Sequence, residues 1–180
     1  MLLIGLLLGS ALPGSACAAE TDVLASLPGH IEIDARLHVS AQPSAEALSG
    51  LGAAGVRTVI DLRPDAETPD LDEKAIVEKS GVTYRSLPIT GKGALTRENV
   101  QAFDKLLHEA QDGKILMHCA SGNRVGALMA LRARWLEGKN AEQALAIGKA
   151  SGLTGLTADV QALLQQDVVS AASPPWPPPR

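Results

Sequence analysis

The order of strand-like and helix-like segments predicts a three-layer α/β domain, a mostly parallel sheet flanked by helices. Three observations carry that expectation. Strand and helix patterns alternate along the chain. The runs Val56 to Leu62 (VRTVIDL) and Lys114 to His118 (KILMH) are apolar in the manner of strands covered on both faces. About 150 residues remain between two unusual ends, a usual size for one domain with one core.

In chain order, Ile31 to Val39 alternates apolar and polar residues and predicts one or two opening strands. Ser44 after Pro43 reads as a helix N-cap, and Gly55 as the stop of that helix. After VRTVIDL, Arg63-Pro64-Asp65 opens a polar loop. A second helix is expected over Asp72 to Ser80, closed by Gly81, then a strand over Val82 to Ile89 and a flexible loop at Gly91-Lys92-Gly93. Thr96 caps a third helix with Val100, Phe103, Leu106 and Leu107 on one face. Helices are then expected from about Val125 to Leu136, Ala141 to Ala150 and Thr157 to Gln166.

The ends read differently. Met1 to Ala19 has the pattern of an export signal: an apolar run, Pro13-Gly14, then Ala16 and Ala18 spaced as a signal-peptidase site, with cleavage expected after Ala18. No Lys or Arg precedes the run. The run is too short and too broken to span a bilayer, so no transmembrane segment is expected. A lipid anchor on Cys17 is not expected either, because Gly14 stands where such sites usually carry Leu. Residues 167–180, five of them proline in the last eight, read as an extended tail. The expected organisation is a signal over 1–19, a catalytic domain over 28–166 and the tail, with a periplasmic or secreted location.

The net charge of −4 and the lack of a basic run remove electrostatic support for binding nucleic acid. Aromatic residues are 2% of the chain, so aliphatic side chains must fill the core. Once a signal is removed Cys119 is the single cysteine, unable to form an internal disulfide. His30, His38 and His108 show no ligand spacing, so no metal is assigned, and no cofactor is expected. Asp61 and Arg63, bracketing a strand end, are read as a structural pair.

The chemistry concentrates in Ile115 to Gly126, ILMHCASGNRVG. A buried strand ends at a cysteine, a tight loop follows, and an arginine opens a helix. Backbone N–H groups in such a loop form a nest for an anion, and the helix terminus adds its own unpaired donors. Gly122 relieves the turn, and Arg124 offers a planar fork to two anion oxygens. The same field favours the thiolate of Cys119, the nucleophilic form. The binding loop is therefore His118, Ala120, Ser121, Gly122, Asn123 and Arg124, with Lys92 as a possible greeting charge and His118 as a hydrogen-bond support for the loop.

This stretch resembles the signature loop of cysteine-dependent tyrosine and dual-specificity phosphatases. The upstream Leu37 to Glu67 (LHVSAQPSAEALSGLGAAGVRTVIDLRPDAE) resembles the phosphatase-like domain of beta-lactamase-hydrolase-like proteins. The resemblance implies a tyrosine-phosphatase-like fold, Cys119 as nucleophile, Arg124 as phosphate ligand and a cysteinyl-phosphate intermediate. It also implies a phosphorylated small molecule or phosphoprotein as substrate, and a monomer is expected.

Three features depart from that pattern. Four residues separate Cys119 from Arg124 where the phosphatases have five, and CASGNR resembles the active loop of rhodanese sulfurtransferases. Val125 stands where a Ser or Thr is usual. The Thr90 to Ala94 loop, where these enzymes carry an aspartic general acid, has no carboxylate. Asp65 or Glu67, in the loop after Val56 to Leu62, is the candidate replacement acid, with Asp65 taken as the catalytic one. Two other readings stay open: a sulfurtransferase working through a Cys119 persulfide, and an inactive anion- or phosphopeptide-binding module.

Overall fold

The computed structural model describes residues 23–110 and 112–172; the export-signal reading over 1–19 and residues 173–180 of the tail reading over 167–180 lie outside them. Five strands form one sheet in the order β1-β2-β5-β3-β4. They are β1 (Ile31–Glu32), β2 (Leu37–Ser40), β3 (Val56–Asp61), β4 (Thr83–Ser86) and β5 (Lys114–His118). Only β1 runs antiparallel, against β2; the other neighbours are parallel. The expected architecture is thus observed.

Asp34 explains why the opening segment is two strands. Its Oδ1 accepts the N–H groups of Arg36 and Leu37, both at 2.8 Å, turning the chain back on itself. β4 is shorter than the Val82 to Ile89 expected. Its backbone nonetheless keeps bonding to β3, with Leu87 N–H donating to Asp61 O and Ile89 N–H to Leu62 O, both at 2.9 Å.

Six helices flank the sheet: α1 (Ala45–Gly50), α2 (Glu73–Lys79), α3 (Arg97–Glu109), α4 (Asn123–Trp135), α5 (Ala141–Ala150) and α6 (Thr157–Ala172). Ser44, Asp72, Thr96 and Asn140 each accept a backbone N–H as N-cap, which fixes where α1, α2, α3 and α5 begin. α1 stops at Gly50, short of Gly55, the chain passing through turns before β3. α6 continues past Gln166 to Ala172, into the segment read from sequence as tail.

Strand alternation divides the core. Ile60, Ile115 and Met117 face α3, α4, α5 and α6, meeting Phe103, Leu128, Ala144 and Val160. Val59 and Leu116 face the other way, against Leu48 of α1 and Val77 of α2. α4 and α5 approach closely at Gly126: a Cβ there would stand 2.1 Å from Leu153 N and 2.7 Å from Gly148 O. Glycine at that position therefore lets α4, which carries Arg124, pack directly behind the loop after β5.

Candidate active site

β5 lies in the middle of the sheet and ends at His118, so Cys119 leaves from the carboxyl edge of the sheet, where ligands of open α/β sheets gather. His118 and Cys119 point to opposite faces because they are consecutive on the same extended segment. Cys119 is 1% exposed and belongs to the cluster facing α4, while Ala120 and Ser121 directly after it are exposed.

Gly122 has φ +80°, a left-handed conformation that glycine adopts without strain, and it sets the start of α4. Its carbonyl accepts Gly126 N–H at 3.0 Å, so α4 begins two residues earlier than Val125. Among the described residues, the N–H groups of Ala120, Ser121, Gly122, Asn123, Arg124 and Val125 donate to no protein acceptor. Those of Gly122 to Val125 are the unpaired donors of a helix start, and with Ala120 and Ser121 they extend the row back to the cysteine, open to an anion.

Two contacts hold the loop in place. The Asn123 Oδ1 accepts the N–H groups of Thr154 at 2.9 Å and Leu156 at 3.2 Å, bracing the loop against the α5–α6 connection. Ala120 O accepts Gln42 N–H at 3.5 Å from the β2–α1 connection. The Asn123 side chain is therefore a brace, and its contribution to the cradle is its main-chain N–H.

Arg124 does not turn out to water. Its Nη2 lies 2.6 Å from Glu67 Oε1, and its Nη1 donates to Leu62 O at 3.3 Å. Glu67 ends a short 3-10 turn over Asp65–Glu67 after β3. Asp65 opens the same turn but lines a cavity of about 630 Å³ with Asp61, Arg63, Glu73 and Tyr84. Lys92 is exposed, 3.8 Å from Asp159 of α6, and pairs with that carboxylate rather than with a residue of the loop. Of the sequence-derived candidates, the structure brings together Cys119, Ala120, Ser121, Gly122, Asn123 and Arg124. It turns His118 to the other face and engages Lys92 elsewhere.

Beneath the loop, on the α2 side, lies a buried ionic network that sequence reading found only in part. Arg63 makes a two-point contact with Asp61, Nε to Oδ1 at 3.0 Å and Nη2 to Oδ2 at 2.7 Å, as the expected structural pair. Arg63 Nη2 also reaches Glu73 Oε2 at 2.5 Å, and its Nη1 donates to Thr68 Oγ1 at 2.6 Å. Tyr84 donates its hydroxyl to Asp61 Oδ2 at 3.0 Å, and Gln42 Nε2 donates to Glu73 Oε2 at 3.0 Å. His118 Nε2 stands 2.6 Å from Glu73 Oε1, out of line for a ring N–H hydrogen bond.

Asp61, Glu73 and His118 each bring one potential ligand atom within 4.8 Å of the others. The Arg63 guanidinium already occupies oxygens of both carboxylates, so these residues form a hydrogen-bonded support for the end of β5. His30 and His38, distant in sequence reading, meet as stacked rings with Nε2 and Nδ1 3.2 Å apart. Burial and the neighbouring His30 hold His38 below its ordinary value.

Burial alone would raise the Asp61 carboxyl; the Arg63 hydrogen bonds, with His118 nearby, overcome that and hold it below the usual carboxylate range. Burial and the Asp61 charge push the Tyr84 phenol up. A carboxyl lowered on folding adds stability above the unfolded-chain value of about 4, lost as pH falls through the lower folded value. Asp61→Asn is therefore expected to flatten the acid side of a stability–pH curve measured by urea unfolding. An acid slope as steep as the parent's would contradict that role.

Residues 28–170 match the family model described as a DSP-PTPase phosphatase fused to NAD+ kinase. The chain belongs to this family. The protein is a tyrosine-phosphatase-like hydrolase. A beta-lactamase hydrolase-like protein of Xylella fastidiosa is 33% identical over 105 residues, 56% of this chain. The chain spans about a quarter of that relative's length, the match covering 24% of it. A solved candidate phosphatase of Neisseria meningitidis is 25% identical with a TM-score of 0.60, covering 72% of this chain and 94% of its own. P. aeruginosa TpbA, solved with phosphotyrosine in a Cys-to-Ser form, shares the fold at 20% identity and a TM-score of 0.54, covering 81% and 91%. No helix among the described residues is long and apolar enough to cross a membrane.

Proposed function

We propose that this phosphatase-family enzyme hydrolyses phosphomonoesters of the aryl or tyrosine type, or of a small molecule, through a cysteinyl-phosphate on Cys119. The carrying observation is the run of six unpartnered main-chain N–H groups from Ala120 to Val125, beginning at the cysteine and ending on the helix that carries Arg124. The Cys119 thiolate attacks phosphorus, the bond from phosphorus to the ester oxygen breaks, and the alcohol leaves with a proton. Water then attacks the same phosphorus, the sulfur–phosphorus bond breaks, and phosphate departs as the thiolate returns. The loop donors and the Arg124 fork stabilise the equatorial oxygens, where charge is greatest in the transition state.

Family membership, and the phosphotyrosine held by TpbA on the same fold, support this substrate class. The pattern of Met1 to Ala19 supports export as the setting, and a phosphorylated metabolite carries equal weight with a phosphoprotein as substrate. The four-residue spacing between Cys119 and Arg124 favours a rival, sulfur transfer through a Cys119 persulfide.

One assay separates the two. Given phenyl phosphate in one reaction and thiosulfate with cyanide in another, the purified enzyme is expected to release phosphate from the first and form no thiocyanate in the second. Thiocyanate without phosphate would replace the phosphatase reading with sulfur transfer. Neither product, with inorganic phosphate binding intact, would leave a binding module.

A further inference from the structure

We infer that Glu67 is the general acid and base of this reaction, an inference that rests on the phosphatase reading above and deepens it. An ester of an ordinary alcohol leaves poorly unless protonated, and a positioned acid contributes typically about 10²–10⁴-fold. The β4–α3 connection does not supply one: Thr90 to Ala94 holds no carboxylate, and its Lys92 faces Asp159. The acid must come from another edge of the loop.

The carboxylates near that edge differ in what they touch. Asp61 and Glu73 are buried and held by Arg63, so neither is free to move. Asp65 lines the cavity on the α2 side of the sheet. Glu67 alone of these contacts the anion-binding arginine, 2.6 Å from Arg124 Nη2, with its side chain 31% exposed. It therefore stands beside the cradle on a short turn and can swing without disturbing the core.

The contact with Arg124 implies the sequence of events. Glu67 holds Arg124 through Nη2, and on this inference a phosphate monoester drawing on the same guanidinium releases Glu67 from it. The acid form of Glu67, its proton taken from solvent, serves the first half of the reaction. The displaced Glu67 then carries that proton at the outer side of the bound phosphate, where the ester oxygen lies opposite the Cys119 sulfur. As sulfur bonds to phosphorus and the ester bond breaks, the Glu67 proton passes to the departing oxygen. In the second half Glu67, now a carboxylate, takes a proton from the water that attacks the cysteinyl-phosphate.

The test compares leaving groups. Full-length wild type, Glu67→Gln and Asp65→Asn are assayed on phenyl phosphate and on dinitrophenyl phosphate, whose leaving group departs without a proton, with Cys119→Ser as blank. Glu67→Gln is expected to lose about 10²–10⁴-fold in kcat/KM on phenyl phosphate and about tenfold or less on dinitrophenyl phosphate. The alkaline fall in the wild-type pH profile should also disappear. An equal loss on both substrates, with the pH profile unchanged in shape, would overturn the inference and leave Glu67 as a positioning residue for Arg124. So would a selective loss in Asp65→Asn instead. Absence of Cys119-dependent release from dinitrophenyl phosphate by the wild type would overturn the phosphatase reading itself, and Glu67's role with it.

Discussion

Cys119→Ser is expected to abolish phosphate release, lowering kcat by at least about 10³-fold while the protein stays folded and still binds phosphate. The size follows from the kind of role: removing a nucleophile forces the reaction back to attack by water, and losses of many decades accompany such changes elsewhere. The fold should tolerate the change because Ser is close in volume to Cys, although Cys119 is 1% exposed in the cluster facing α4. Binding should survive because the donors in the cradle are main-chain N–H groups from Ala120 onward, which the substitution leaves in place. Phosphate affinity measured by calorimetry should therefore stay within a few-fold of the parent. A serine variant that turned over at a tenth of the parent rate would place the nucleophile elsewhere.

Glu73→Ala should produce the largest loss of stability, about 3–5 kcal/mol, the usual cost of removing one partner from a buried ionic pair. Glu73 is the member of the network that ties α2 to the end of β5. Its two oxygens serve Arg63 at 2.5 Å, Gln42 at 3.0 Å and His118 at 2.6 Å. Without it, Arg63 keeps Asp61 and Thr68, but His118 is left buried with Asp61 at 3.8 Å as its nearest carboxylate. The strand end that delivers Cys119 would lose its support from below. Urea unfolding reads the effect directly, and a change under about 1 kcal/mol would show that the network is not structural.

Much of this architecture was legible because it is local. KILMH at 114–118 has the bounds its apolar composition predicts, with the loop after it. Ser44, Thr96 and Asn140 stand at helix starts for the short-range reason that their side chains cap the next turn. The cradle was legible in the same way, since Cys119 to Arg124 is one continuous stretch.

The parts that escaped are those assembled from distant segments. Glu73, at the first turn of α2, carries no periodic or motif signal. Only the sheet, by setting β3 beside β5, places it between Arg63 and His118. Asp65 and Glu67 were both candidate acids in sequence, and the three-residue turn that starts at Asp65 carries Glu67 to Arg124. Spacing along the chain does not encode that choice; the pitch of the turn does. His118, adjacent to Cys119 in sequence, falls on the opposite face for an equally simple reason, the two-residue alternation of a strand.

On this mechanism the Cys119 sulfur takes the phosphoryl group. That step is tested most directly by quenching the enzyme in acid during turnover of dinitrophenyl phosphate and mapping peptides by mass spectrometry. The expected result is one added phosphoryl group on the peptide containing Cys119, absent from the serine variant. Steady turnover with that peptide unmodified, or a phosphoryl group found on another residue, would contradict the account.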